Sequence, residues 1–193
     1  SHGGKMVDFA GWQMPVQYAD QSIAESTVHT RQHVSLFDVS HMLQSNIFGA
    51  DRIAYIESLV TADVSGLNEN QGTLTVFTND QGGILDDLIV TKTAGDHLYM
   101  VTNAGRIDHD WKHLQDQASN WRSSGKDVSV DHLCNGLIAV QGPEMMKLMQ
   151  RHIDCDLSKL FFMRSVVTSV CGIENCRVTR CGYTGEDGVE VRY

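Results

Sequence analysis

Two runs of alternating β-branched and apolar residues, Thr73 to Thr78 and Ile84 to Val90, are separated only by Asn79-Asp80-Gln81-Gly82-Gly83. A connection that short and that rich in turn residues joins antiparallel strands, because a parallel crossover needs a dozen or more residues. A second turn signal, Ala94-Gly95-Asp96, leads into another such run, His97 to Thr102. Three strands in succession are therefore predicted to form an antiparallel meander, which excludes a purely parallel βαβ arrangement.

The rest of the chain alternates helical and extended patterns around this meander. Residues 20 to 33 read as a helix with Ile23 and Val28 on an apolar side, and Leu36-Phe37-Asp38-Val39 reads as a strand. Gln44 to Phe48 is extended, and Ile53, Ile56, Leu59 and Val60 fall at helical spacing after Gly49-Ala50-Asp51. Gly105 to Ser119 forms a helix with Ile107, Trp111, Leu114 and Ala118 along one side. Strands follow at Val128 to Leu133 and Leu137 to Gln141, then a helix from Pro143 to Gln150. The last strands are predicted near 165 to 171, 176 to 180 and 188 to 193, with Gly172-Ile173-Glu174-Asn175 as a hairpin turn. Hairpins with helices between them give an α+β class with antiparallel sheets.

Composition narrows the function. The 193 residues carry 15 Lys plus Arg against 24 Asp plus Glu, a net charge of −9, which argues against a broad nucleic-acid surface. No apolar run reaches the length of a membrane span. The amino-terminal Ser1-His2-Gly3-Gly4-Lys5 has the pattern of neither a secretory signal nor a transit peptide. The five cysteines form no CxxC pair and are expected to be reduced thiols. Glu25, His29 and His33 recur along one helical face, yet nothing resembles HExxH, and a solvated or core-edge face is the simpler reading. No GxSxG, GxGxxG or GxxxxGK[ST] pattern is present. Met42 and the methionines of 145 to 149, like Trp12, read as packing residues.

Two places could carry chemistry. Asp86-Asp87 puts adjacent carboxylates into an apolar strand, where strand geometry sends them to opposite faces: Asp86 with Ile84, Leu88 and Val90, Asp87 with Leu85 and Ile89. At most one of them serves a given site, and both could equally be solvated at a strand end. The second place is Gly182 to Glu190, a glycine-rich turn entering a strand. Its glycines let main chain approach a flat ligand, Tyr183 could stack or donate its hydroxyl, and Glu190 could accept paired N–H donors from a heterocycle. An ordinary acidic hairpin is the competing reading.

Several strings occur in order: Gly3-Gly4-Lys5-Met6-Val7, Phe9-Ala10-Gly11-Trp12 with Pro15, Phe37-Asp38-Val39-Ser40-His41-Met42, Gly83-Ile84-Leu85-Asp86-Asp87-Leu88, Gln141-Gly142-Pro143 and Gly182-Tyr183-Thr184-Gly185-Glu186-Asp187-Gly188. In combination they resemble the aminomethyltransferase family, the T-proteins of the glycine cleavage system. The animal mitochondrial type is the nearest match, with His29-Thr30-Arg31-Gln32-His33 and Arg180-Cys181-Gly182-Tyr183 as the most telling stretches.

The resemblance implies a folate-binding fold with a discontinuous first domain over 1–40 and 128–193 and part of a ferredoxin-like α+β second domain over 41–127. Members are longer, so it also implies an amino-terminal half that stops before a carboxyl-terminal β-barrel, with weak folate binding and low turnover alone. By the same resemblance, tetrahydrofolate is the co-substrate, the lipoylated H-protein the partner, the mitochondrial matrix the compartment, and no metal takes part. Asp87 is the implied catalytic carboxylate and Glu190 the holder of the pterin donor edge. Tyr183, Asn103, Met42, Leu74 and Val101 are the implied folate contacts. Arg31, Lys92, Arg106 and Lys112 are scattered basic candidates for docking an acidic carrier. The rival readings are a folate-binding domain of a dimethylglycine or sarcosine dehydrogenase and an iron–sulfur assembly protein.

Overall fold

The computed structural model describes residues 3–193. Ser1 and His2, part of the stretch read above for a targeting signal, lie outside the described residues. In chain order the elements are β1 (Lys5–Phe9), β2 (Trp12–Gln17), α1 (Ile23–Gln32), β3 (Ser35–Asp38), β4 (Leu43–Phe48), α2 (Arg52–Glu57), β5 (Gln71–Thr78), β6 (Ile84–Lys92) and β7 (His97–Thr102). They continue with α3 (Ile107–Ser123), β8 (Ser129–Leu133), β9 (Leu137–Gln141), α4 (Met145–Met149), β10 (Ser165–Val170), β11 (Ile173–Thr179) and β12 (Gly188–Arg192).

The chain divides into two units, one formed by residues up to His41 together with Gly136–Tyr193, the other by Met42–Asn135. In the first, β1 and β2 form a ribbon and a five-stranded antiparallel sheet runs in the order β10-β11-β12-β9-β3. Its core gathers Val140, Met145, Leu157, Cys176, Val178 and Val189. In the second, the predicted meander is present as β5-β6-β7, extended by β4 and β8 into a five-stranded antiparallel sheet. There α2 and α3 pack over Ile47, Phe77, Leu88 and Met100, contributing Tyr55, Ile56 and Leu114. Burying each of these large apolar side chains stabilises by about 1.5–3 kcal/mol.

The second unit runs on through Asn135, past the boundary read at 127, because Ser129–Leu133 pairs with Leu43–Phe48 and belongs to that sheet. Local chemistry explains other shifts. α1 starts at Ile23 because Ser22 and Glu25 close a capping box, with the Glu25 N–H donating to Ser22 Oγ at 3.2 Å and the Ser22 N–H to Glu25 Oε2 at 2.8 Å. Its expected apolar side is not buried: Ile23 and Val28 are exposed, and Thr30 is the buried residue of the helix. The β10–β11 turn is shorter than 172–175, since Cys171 and Gly172 both adopt positive φ and β11 already begins at Ile173. The β1–β2 ribbon escaped the sequence reading. It leaves Trp12 47% exposed beside the His41 ring, so Trp12 is not a core residue.

Candidate functional site

In the second unit the register of the sheet settles which side chains share a face. Leu74 lies opposite Ile89 and Ile89 opposite Val101, and directly opposed residues point the same way. Asp87, two residues before Ile89, belongs to the same face, while Leu88 and Val90 point into the core with Phe77 and Met100. The expected separation of Asp86 from Asp87 is therefore present: Asp87 is exposed and Asp86 is half-buried on the core side. An irregularity in the β5–β6 register between Phe77 and Thr78 falls opposite Asp86, at the end where the two carboxyls lie.

Asn103, just past β7, ties the two acids together. Its side-chain Nδ2 lies 3.0 Å from Asp86 Oδ1, 2.9 Å from Asp87 Oδ1 and 2.9 Å from the Asp87 carbonyl, and its backbone N–H donates to Asp86 Oδ2 at 3.3 Å. One carboxamide thus sets the geometry of both acids. Met42 immediately precedes β4 and is half-buried. Leu74, Asp87 and Val101 thereby share one face of this sheet, and Asn103 lies at the end where β6 begins and β7 stops.

Beneath Asp86 stands Asp110, which sequence reasoning missed. It is 0% exposed on α3, where it occupies the buried stripe with Leu114 and Ala118. Its Oδ1 lies 3.1 Å from His109 Nδ1. Burial, reinforced by a hydrogen bond with the Asp86 carboxyl and by its charge, pushes Asp110 up to about 7. A signal was available, because Asp110 stands three residues after Ile107 and four before Leu114, on the helix's predicted apolar side.

In the first unit, Glu190 lies on β12, flanked by Thr179 of β11 and Ala139 of β9, and is 6% exposed. Burial raises its carboxyl above the usual range, opposed by hydrogen bonds from the Tyr183 hydroxyl and the Cys181 thiol. Burial likewise pushes the Cys181 thiol upward, and its neighbour Glu190 adds to the shift. Tyr183 and Glu190, paired in the sequence reading, do meet. Cys181 as their third member was not foreseen, since a lone cysteine just past a strand carries no such signal.

The turn that carries Tyr183 is built around Gln141. Gln141 Oε1 accepts from the Tyr183 N–H at 3.1 Å, the Thr184 N–H at 3.0 Å and the Thr184 hydroxyl at 2.7 Å. Any Cβ on Gly182 would stand 2.4 Å from Gln141 Nε2, so only glycine allows this approach. The far side of the turn is held by Arg180, which grips Asp187 through Nε at 2.9 Å and Nη2 at 2.6 Å and donates from Nη1 to the carbonyls of Leu157 and Leu160. Arg31 reaches the Thr184 carbonyl and lies 3.3 Å from Glu186.

The remaining candidates disperse. Glu25 serves the α1 cap, His29 Nε2 approaches the Val34 carbonyl at 3.2 Å and His33 Nδ1 lies 3.2 Å from Glu144. Among the described residues no group of three or more His, Cys, Asp or Glu could hold a metal ion. Of the basic docking candidates, Arg31 is engaged as above, Lys92 donates to the carbonyls of Ser65 and Leu67, and Lys112 pairs with Asp116. A cleft of roughly 940 Å³ in the first unit is lined by Trp12, Tyr18, Leu36, Phe37 and His41, and holds none of the sequence-predicted site residues. Desolvation lowers the His41 pKa there.

The model of the GCVT N-terminal domain matches residues 1–193. Aminomethyltransferase, mitochondrial, from Homo sapiens is 56% identical over 191 residues, covering 99% of this chain and 47% of the relative. The protein of the same name from Pisum sativum is 48% identical over 192 residues, again with 47% of the relative covered. The chain spans about half the length of the curated relatives it matches. Among solved structures, the glycine cleavage system aminomethyltransferase T from Bartonella henselae superposes with a TM-score of 0.84 at 31% identity, over 99% of this chain and 50% of that one. The heterotetrameric sarcosine oxidase from Corynebacterium sp. U-96 gives a TM-score of 0.56 at 14% identity, over 89% of this chain and 83% of that one, which shows a shared fold alone.

Proposed function

Because the chain belongs to the family of the GCVT N-terminal domain, we propose that it carries the folate-handling part of an aminomethyltransferase of the glycine cleavage system. The reaction moves the methylene of an aminomethyl group, carried on the lipoyl arm of the H-protein, onto tetrahydrofolate. Its bonds to sulfur and to the departing ammonia break, and bonds to N5 and N10 form. The products are ammonia, 5,10-methylenetetrahydrofolate and the dihydrolipoyl H-protein. The relatives are named mitochondrial, which supports a mitochondrial compartment, and the matrix is the part of it assigned here.

The observation that carries the reading is the set Asp87, Asn103, Leu74 and Val101. An exposed carboxylate, aimed by a carboxamide and set on a sheet face beside Leu74, Ile89 and Val101, suits a flat amine-bearing substrate. Asp87 orients the attacking nitrogens, takes up a proton as they bond to the methylene, and balances the positive charge that develops there. Asn103 keeps that carboxylate from turning away. Leu74, Val101 and Met42 supply apolar walls that exclude water.

Glu190 has a separate task. Its buried carboxylate already accepts from a hydroxyl and a thiol, so its surroundings suit recognition of neutral N–H donors such as the amino edge of a pterin. Tyr183 orients Glu190 and contacts the folate. Among relatives that share the fold, dependence on aminomethylated H-protein separates this activity from oxidase-type folate domains and from assembly factors.

Anaerobic titration calorimetry of tetrahydrofolate into the protein, beside Glu190→Ala and Asp87→Asn, tests the reading. Binding abolished by Glu190→Ala and retained by Asp87→Asn is expected, with transfer from aminomethylated H-protein lost in Asp87→Asn. Transfer that survives Asp87→Asn at the wild-type rate sinks the assignment of the catalytic carboxylate.

A further inference from the structure

Asp110 poses a bonding problem that the reaction described above does not use. Its side chain is fully buried, its Oδ1 faces His109 Nδ1, and its Oδ2 meets no donor. The group that shares a hydrogen bond with it is the Asp86 carboxyl, and an ionised carboxylate can only accept. Two acceptors in contact away from water form a bond only when a proton lies between them. Thr102, 1% exposed at the end of β7, brings a buried hydroxyl to the same place.

We propose that Asp86 and Asp110 hold one proton between them and that this acid–carboxylate pair is the positioning device that keeps the Asn103 carboxamide on Asp87. The inference rests on the reading of Asp87 as the reacting carboxylate. The chain of contacts is continuous: Asp110 to Asp86, Asp86 to both the backbone N–H and the Nδ2 of Asn103, and the same Nδ2 to Asp87 Oδ1 and to the Asp87 carbonyl. Asp86 and Asp110 thus act through Asn103 and touch no reacting atom.

The groups that bear on Asp110 come from three elements. β6 supplies Asp86, whose hydrogen bond and charge favour the protonated form. α3 supplies His109, whose hydrogen bond favours the ionised form, with His113 stacked 6.4 Å beyond it and edge-on to Phe77. β7 supplies the Thr102 hydroxyl, the weakest of the groups that favour ionisation. Desolvation is the largest effect and opposes ionisation.

Loss of the shared proton sets two negative charges side by side, and Asp86, half-buried where Asp110 is fully buried, is the partner that turns toward solvent. Its departure releases Asn103, and Asp87 loses the donor that aims it. The device is therefore intact below a midpoint of about 7 and fails above it. Asp110→Asn replaces the shared proton with a permanent amide donor, so it preserves the geometry and removes the pH dependence.

Carbon NMR of protein labelled at the aspartate carboxyl carbons, titrated to either side of that midpoint, reads both arms. The expected result is one carboxyl that gains its charge at about 7, an inflection at the same pH in the Asp87 resonance, and neither in Asp110→Asn. In Asp86→Asn the Asp110 midpoint moves to lower pH. An Asp110 that titrates in the ordinary carboxylate range with Asp86 intact overturns the shared proton. An Asp87 resonance blind to that titration overturns the positioning role. Methylene transfer from aminomethylated H-protein is expected to fall about tenfold above the midpoint in the wild type and to stay flat in Asp110→Asn, with tetrahydrofolate affinity unchanged in both. Both inflections in a protein that binds no tetrahydrofolate at any pH leave the pair standing and overturn the folate reading instead.

Discussion

Glu190 in the first unit and Asp110 in the second are both carboxyls shut away from water, and both are pushed toward their neutral forms by burial. Their partners differ. Glu190 is surrounded by a hydroxyl and a thiol, neutral donors that lean toward its charged form, whereas Asp110 is set against another carboxyl that leans the opposite way. Burial alone therefore does not define a role. A carboxyl among neutral donors is prepared to accept from a ligand, and one against a second acid is prepared to keep a proton. Asp87, exposed near the start of β6, is the third case, a carboxyl whose side chain and backbone carbonyl are both held by Asn103.

The comparison can be broken first at the frame that holds the Glu190 region. Gly142 has φ of +137° and a Cβ there would stand 2.2 Å from the His33 carbonyl oxygen, so Gly142→Ala is expected to destabilise the protein by about 3 kcal/mol or more. Denaturant unfolding checks it, and a loss below about 1 kcal/mol would show that the Gln141 to Pro143 segment is not rigid. Next comes Arg180→Ala, which strips two carbonyls and Asp187 of their donor. A loss of about 2–3 kcal/mol is expected by the same measurement, most of it from the unpaired carbonyls because Asp187 is partly in water.

Glu190→Gln acts more gently on stability and more sharply on its pH dependence. The folded pKa of Glu190 is raised, so its contribution is full below the unfolded pKa and is lost as pH rises through the folded one. The substitution is expected to flatten the fall in melting temperature across that rise and to weaken tetrahydrofolate about tenfold or more, the scale of one hydrogen bond to a charged group. A pH profile identical to wild type would show that Glu190 ionises in the folded protein as it does in the unfolded chain. The smallest stability effect belongs to Asp87→Asn. An exposed residue should move stability by no more than about 0.5 kcal/mol, while methylene transfer falls by orders of magnitude. A large stability loss there would make Asp87 a structural residue.

Much of the fold was legible because its signals are local. The turn at Asn79–Gly83 and the alternation on either side placed β5 and β6, and β7 and β9 begin and end where their patterns do. The β1–β2 ribbon was not legible, since its residues alternate weakly and most remain exposed. Ile23 and Val28 look like the buried side of α1, yet exposure depends on what covers a helix, which its own residues do not encode. In the site, strand parity separated Asp86 from Asp87 correctly. Asn103, Leu74 and Val101 came from resemblance, and Cys181 and Asp110 came from neither.

What the sequence determined by itself is the antiparallel succession of the three meander strands and the side of the strand on which each adjacent carboxylate stands, because hairpin length and a two-residue repeat are properties of neighbours along the chain. It also determined the family, because motifs spread over the whole length occur in one order. What only the tertiary structure decided is which carboxyl meets which partner. Asp86 and Asp110 are separated by a strand and a turn, and Cys181 and Glu190 by a glycine-rich loop. Their protonation follows from burial and from a neighbour's charge or hydrogen bond, and those exist only once the sheet has closed on its helix and its turn.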